Sequence, residues 1–210
     1  MEILAVDVGG TKVDMAIVKD GTVISRDRFL NSPSENIVNL IASYAKDRHI
    51  DGVGIGVAGQ VDYETGTVIF GGNLGWQNFP LGTLLAKELN VPVFVENDAN
   101  IFALGVWKYE LGGTTKSVLG ITLGTGIGGG FVYEGELLRS KKGASLEIGH
   151  MVIEAEGPLC TCGSHGCLES LAGGWALEKW YSERTGEKLT GVQIHERARA
   201  GDKEAIYLYQ

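Results

Sequence analysis

The sequence predicts a two-lobed α/β protein built on a duplicated core, and three observations carry that prediction. Apolar strand-like runs alternate with segments of helical spacing. A unit of strand, Gly/Thr turn, strand, acidic residue plus Gly, and strand occurs twice, over Val6 to Gly21 and over Ile121 to Gly135. The chain has 210 residues, 44% of them hydrophobic, enough to bury more than one small core.

Each element has a local reason. Ile3 to Val6 and Val13 to Val18 read as strands joined by the turn Asp7 to Lys12, and Asp20-Gly21 is a hairpin signal leading into Thr22 to Phe29. Ser34 can cap a helix whose apolar face is Ile37, Leu40, Ile41, Tyr44 and Ala45. A buried strand at Val53 to Val57, a turn at Asp62 to Gly66 and a strand at Thr67 to Phe70 follow. Leu81 to Leu89 has helical spacing, and Pro92 precedes the strand Val93 to Val95. A helix from Ala99 to Leu111 is closed by Gly112 and Gly113, which ends a first domain, 1–113.

The second domain, 114–210, opens with the strand Ser117 to Leu123, the glycine turn Gly124 to Gly130 and the strand Phe131 to Tyr133. A turn at Glu134-Gly135 leads to a third strand, Glu136 to Arg139, and helices are expected at Trp175 to Thr185 and Ile194 to Arg199. No capping or stop signal is visible near the last residues, so the chain is expected to be the N-terminal part of a longer protein.

The formal net charge of −8 argues against a general nucleic-acid or anionic-membrane surface. No apolar run approaches the ~18 residues of a membrane span, and the first residues lack a basic leader, so a cytoplasmic small-molecule protein is expected.

All three cysteines, Cys160, Cys162 and Cys167, fall in one glycine-broken loop with little apolar sequence to pack them. A disulfide would leave one thiol over, whereas three thiolates and a histidine suit tetrahedral zinc. His150 is the expected fourth ligand and His165 its rival, while His49 and His195 are expected at the surface. Gly124, Gly126 and Gly129 formally satisfy GxGxxG, but a dinucleotide fold needs a helix next, and here Phe131, Val132 and Tyr133 follow. The Gly-Lys-Ser/Thr of a P-loop is absent. Asp7, Gly9, Gly10, Thr11 and Lys12 form a second amide-rich turn, and two such turns in equivalent places point to phosphate. Glu96-Asn97-Asp98 lies where a strand meets a helix; Asn97 or Asp98 could simply cap that helix. With Glu147, His150 and Glu169 the pair also suits a ligand rich in hydroxyls.

At this point the chain resembles a known family. Asp7 to Lys12, Glu96 to Asn100, Thr122 to Gly130, Glu147 to Met151 and Cys160 to Glu169 are similar to the ordered motifs of the ROK sugar kinases. The resemblance implies a duplicated actin-like ATPase (ribonuclease H-like) fold, two lobes that each donate a phosphate loop, with sugar in the cleft between them. It implies that Asp98 is the general base toward a sugar 6-hydroxyl, and that Gly59, Asn97, Asp98, Glu147, His150 and Glu169 bind the sugar. Asp7, Gly9, Gly10, Thr11 and Lys12, with Gly124, Thr125 and Gly126, would surround the phosphates of ATP, accompanied by Mg²⁺ near Asp7. A structural Zn²⁺ would be held by His150, Cys160, Cys162 and Cys167, with the other imidazole nitrogen meeting the sugar.

Asn73 to Trp76 resembles a family loop near the sugar, although a turn around a packed Trp reads equally well; Trp107, Trp175 and Trp180 are assigned to core or interfaces. The expected activity is a glucokinase, with an N-acetylglucosamine or N-acetylmannosamine kinase as the alternative. A sugar-responsive transcriptional regulator of the same family is the alternative from another class, disfavoured because Met1 enters the first strand almost at once. A sugar-binding protein without turnover is disfavoured by Asp98. The expected partners are a small-molecule sugar and ATP, without nucleic acid or membrane, in a homodimer or higher homo-oligomer. Roughly a hundred residues of an ordinary ~300-residue two-domain kinase would lie beyond the chain.

Overall fold

A computed structural model describes the backbone of residues 1–31, 34–140 and 146–209; the side chains of residues 34–36 and 73 also lie outside the described set. The expected Ser34 cap and the Asn73 side chain therefore fall outside it. By packing, the chain forms two compact units, Met1–Gly120 with Gly130–Ser145, and Ile121–Gly129 with Leu146–Gln210.

The first unit is organised by a five-stranded sheet in the order β3-β2-β1-β4-β8. Strands β1 (Glu2–Val8), β2 (Lys12–Lys19) and β3 (Thr22–Leu30) form an antiparallel meander, and β4 (Gly52–Val57) and β8 (Val93–Asn97) add in parallel. Alternation puts Leu4, Val6 and Val8 of β1 on the buried face, beside Val13, Met15 and Ile17 of β2. Helices α1 (Ser34–Ala45) and α2 (Leu81–Leu89) contribute to the same core, through Ile37, Ile41 and Tyr44 and through Leu81 and Leu85. Each fully buried leucine stabilises the unit by about 2 kcal/mol.

A small sheet, β5 (Gln60–Asp62), β6 (Thr67–Gly71) and β7 (Trp76–Phe79), lies between β4 and α2 in the chain. Of its strands only β6 is expected from sequence, because β5 and β7 are three and four residues long and carry Gln60, Asp62, Gln77 and Asn78. Trp76 is buried and opens β7, after a short turn at Gly72–Leu74. The helix expected over 99–111 is two pieces: α3 (Asp98–Gly105), then a wider turn over Val106–Glu110. Gly112 and Gly113 close it at φ 62° and 67°.

Strands β9 (Ser117–Leu123), β10 (Ile127–Tyr133) and β11 (Glu136–Leu137) form a third sheet in the order β11-β10-β9. The repeated sequence unit is repeated structure, down to its turns. Asp20-Gly21 has φ values of 48° and 81°, Glu134-Gly135 of 51° and 87°, the positive pair that a two-residue type I′ hairpin needs. The GxGxxG glycines run into β10 with no helix after them.

In the second unit, helices α4 (Leu168–Ala172), α5 (Gly174–Thr185), α6 (Gly191–Arg199) and α7 (Lys203–Tyr207) follow the cysteine loop. Tyr181, Ile194 and Ala205 are fully buried at the centre of the last three. Asp202, a residue not singled out in the sequence, caps α7 at its start by accepting from the Ala205 N–H at 2.9 Å. Among the described residues no helix is long and apolar enough to cross a membrane.

Candidate active site

The chemistry-bearing residues of the first unit sit at the carboxyl ends of its three parallel strands, the edge where open α/β sheets bind ligands. Asp7 is near the end of β1, Gly59 follows β4, and Asn97 ends β8 with Asp98 opening α3. Asn97 does cap the helix, its Oδ1 accepting from the Asn100 N–H at 3.0 Å. Its amide does more. The Asn97 Nδ2 donates to the Gly59 carbonyl at 3.0 Å and to Asp98 Oδ1 at 3.1 Å.

Asp98 Oδ1 also accepts from the Ala99 N–H at 2.9 Å. Burial raises the Asp98 pKa, opposed by that backbone bond and reinforced by the nearby Asp7 carboxylate. Asp7 is raised as well, first by partial desolvation and then by Asp14, directly opposite it on β2. Asp98 is thus a half-buried, oriented carboxylate moved toward the range in which it can take a proton.

Gly59 is there because nothing larger fits. A Cβ would lie 2.5 Å from the Phe70 carbonyl oxygen and 3.0 Å from the Gly71 Cα, both backbone. Gly59→Ala is expected to destabilise the unit by about 1–3 kcal/mol and to loosen Asn97; a thermal melt beside a sugar-binding isotherm checks both effects.

The two glycine turns share a construction. In the first, Asn31 Nδ2 binds the carbonyls of Gly9 at 2.8 Å and Gly10 at 3.1 Å, and the Asn31 N–H binds that of Thr11 at 2.9 Å. In the second, the Gly174 and Trp175 N–H groups bind the carbonyls of Gly124 and Thr125 at 2.9 and 3.0 Å. The carbonyls are tied back by the protein, and a phosphate needs N–H groups rather than carbonyls. Lys12 and Thr11 are exposed beside the first turn. Asn31 carries no sequence signal that could have singled it out, since a lone Asn after a strand reads as loop.

Glu169 has a larger role than its sequence position suggests. Its Oε2 accepts from the Ile127 N–H at 2.7 Å, its Oε1 from Trp175 Nε1 at 3.0 Å, and a Cβ on Gly126 would overlap the carboxylate. The residue braces the second glycine turn, with lone pairs left over for a ligand. Trp175 joins that brace. Glu147 lies 4.0 Å from His150 Nε2; partial desolvation raises its pKa and the imidazole opposes the shift.

His150, Cys160, Cys162 and Cys167 come together, their ligand atoms all within 4.8 Å of one another. Cys162 Sγ is 3.6 Å from Cys167 Sγ, and Cys160 Sγ is 3.5 Å from His150 Nδ1. Tetrahedral bonds of about 2.0–2.3 Å set ligand atoms about 3.5–3.8 Å apart, so the donor set fits zinc. His165 is turned elsewhere, its Nδ1 bonded to the Gly157 carbonyl at 3.1 Å. His49 and His195 are exposed and lie outside the cluster.

The ROK family's sequence profile matches residues 3–210. The chain belongs to the ROK family. This ROK chain is 35% identical to the glucokinase of Thermotoga maritima over 99% of its own length and 73% of the relative's. It is 34% identical to the N-acetylmannosamine kinase of Vibrio cholerae, covering 98% of the chain and 74% of that protein. Its fold matches a solved ROK family glucokinase from Streptomyces griseus in complex with glucose and AMPPNP, with a TM-score of 0.86, 34% identity and coverage of 100% of the chain and 74% of that structure. The mixed sheets and helices described above are those of ROK sugar kinases, an actin-like ATPase fold. The chain spans about three quarters of each of these relatives.

Proposed function

We propose that this chain carries the phosphoryl-transfer and sugar-binding residues of a cytoplasmic, ATP-dependent kinase that phosphorylates the 6-hydroxyl of a hexose, with glucose as the preferred substrate. The observation that carries the reading is Asp98: a half-buried carboxylate with a raised pKa, fixed by Asn97 and the Ala99 N–H at the ligand-binding edge of a parallel sheet. It takes the proton as the sugar oxygen attacks the γ-phosphate, and positioning supplies most of the remaining catalysis.

Asn97, Gly59, Glu147, His150 and Glu169 bind the other hydroxyls. The turns Asp7 to Lys12 and Gly124 to Gly126 take the phosphates, a role supported by their tied-back carbonyls, and Mg²⁺ accompanies the nucleotide near Asp7. Zinc, when bound by His150, Cys160, Cys162 and Cys167, is structural: four protein ligands leave no position for water. It would fix the tautomer of His150 and aim Nε2 away from the metal. In chain order residues 1–113 and 114–210 supply the two lobes, and the assembly is a homodimer or higher homo-oligomer.

The similarity to N-acetylmannosamine kinase favours one second reading, an N-acetylhexosamine as substrate. Coupled ADP release from the complete protein, measured across glucose, mannose, N-acetylglucosamine and N-acetylmannosamine, distinguishes the two. Sugar-dependent ADP release with the highest kcat/KM for glucose is expected. Release above background with none of these sugars would overturn the kinase reading.

A further inference from the structure

The β8–α3 junction that presents Asn97 and Asp98 is held by a residue from far along the chain. Glu96 faces the interior with its side chain 14% exposed, and its two oxygens are divided between two tasks. Oε1 accepts from the Asn97 N–H at 3.0 Å and from Asn100 Nδ2 at 3.0 Å, and Asn100 is itself buried. Oε2 accepts from Arg139 Nε at 2.5 Å. Arg139 lies just beyond β11, and its guanidinium stacks over the Tyr63 ring at 4.7 Å. The stacking holds the fork in place, and the fork supplies the only charge that the described structure sets against Glu96.

We propose that Arg139 is a positioning residue for the proton acceptor, acting through Glu96 on the backbone that aims Asp98. The inference rests on the kinase reading above. Glu96 grips the strand-to-helix junction with one oxygen and is neutralised through the other. Without Arg139 a largely buried carboxylate loses its counter-charge, and it can recover solvation only by turning outward and releasing Asn97 and Asn100. A shift of about 1 Å at the base is then felt in turnover, at roughly 10- to 100-fold.

A charge-rescue cycle in the complete protein tests this. Arg139→Met is expected to lower kcat by roughly 10-fold or more with the KM for ATP little changed, and to speed amide hydrogen exchange in a peptide covering residues 96–100. Arg139→Lys keeps the charge without the planar fork and is expected to fall between wild type and Arg139→Met. Glu96→Gln still offers an oxygen to Asn97 and Asn100 but needs no counter-charge. The Glu96→Gln/Arg139→Met pair is therefore expected to recover most of the lost turnover and the slow exchange. Wild-type turnover and exchange in Arg139→Met, or a double variant no better than Arg139→Met, would overturn the inference. If Arg139→Met fails to fold, the double variant and Arg139→Lys decide, since a charge clamp requires both to fold with the stated ranking. Wild type without sugar-dependent ADP release is a failure of the kinase reading instead, and the exchange data still report on the clamp.

Discussion

Asp98→Asn is expected to lower kcat by about 100-fold or more while glucose binding, read by calorimetry, stays within a few-fold of wild type. The amide keeps an oxygen for the Ala99 N–H and for Asn97 Nδ2, so the orientation of the junction survives and only the proton acceptor is lost. The pH profile follows from the same carboxyl. Because burial raises its pKa, kcat/KM in the wild type should decline on the acid side at a pH above the ordinary carboxylate range. For stability the sign is opposite to that of a salt-bridged aspartate. A raised folded pKa favours the protonated form, so stability attached to Asp98 is present at low pH and lost as pH rises through the folded value. Asp98→Asn should therefore melt no lower than wild type at neutral pH. Near-normal turnover in this variant would remove Asp98 from the role of base, and a large loss of sugar binding would show that its first task is to hold the substrate.

Much of this was legible because periodicity and turn chemistry act locally. The meander β1-β2-β3 and its repeat β9-β10-β11 follow from alternating apolar residues and the pairs Asp20-Gly21 and Glu134-Gly135, whose backbone preferences need no tertiary help. The cysteine spacing was legible for the same reason, since a short loop can deliver three sulfurs to one point. What the sequence did not disclose depends on partners distant in the chain. Strands β5 and β7 are too short and polar to show alternation, and pairing with β6 is what makes them strands. Asn31 and Trp175 look like ordinary loop and helix residues, and Arg139 like the end of a strand that in fact stops at Leu137, until Gly9, Glu169 and Glu96 are placed beside them. The pairing of Arg139 with Glu96 spans 43 positions, far beyond any helical or strand period. Asn97 shows how a bland reading and a functional one coexist: it caps α3 with its oxygen and organises Gly59 and Asp98 with its nitrogen.

Cys167→Ser is expected to lose zinc and with it both the order of the cysteine loop and sugar binding. Cys167 is buried, stands at the start of α4 and lies two residues before Glu169, so it would link a bound metal to the brace on Gly126. Its sulfur lies 3.6 Å from that of Cys162, far beyond the ~2.05 Å of a disulfide, so no covalent bond between them substitutes for the ion. Beyond the two short bridges Val152–Cys167 and Leu159–His165, the loop is held by backbone hydrogen bonds such as the Cys160 N–H to the Ser164 carbonyl and the Gly166 N–H to the Pro158 carbonyl, both at 2.8 Å, and a bound ion would add to that order. Structural zinc in small domains contributes folding free energy outright, of order 10 kcal/mol in isolated zinc-finger peptides, so several kcal/mol at this site is a reasonable scale. Elemental analysis of the complete protein, purified without added metal, should find about one zinc per chain in wild type and in His165→Ala, and none in Cys167→Ser. A chelator should lower the melting temperature of wild type and leave that of Cys167→Ser where it was. Zinc lost in His165→Ala would move the fourth ligand to His165, zinc retained in Cys167→Ser would take Cys167 out of the ligand set, and wild type without zinc would remove the metal from the account of this loop.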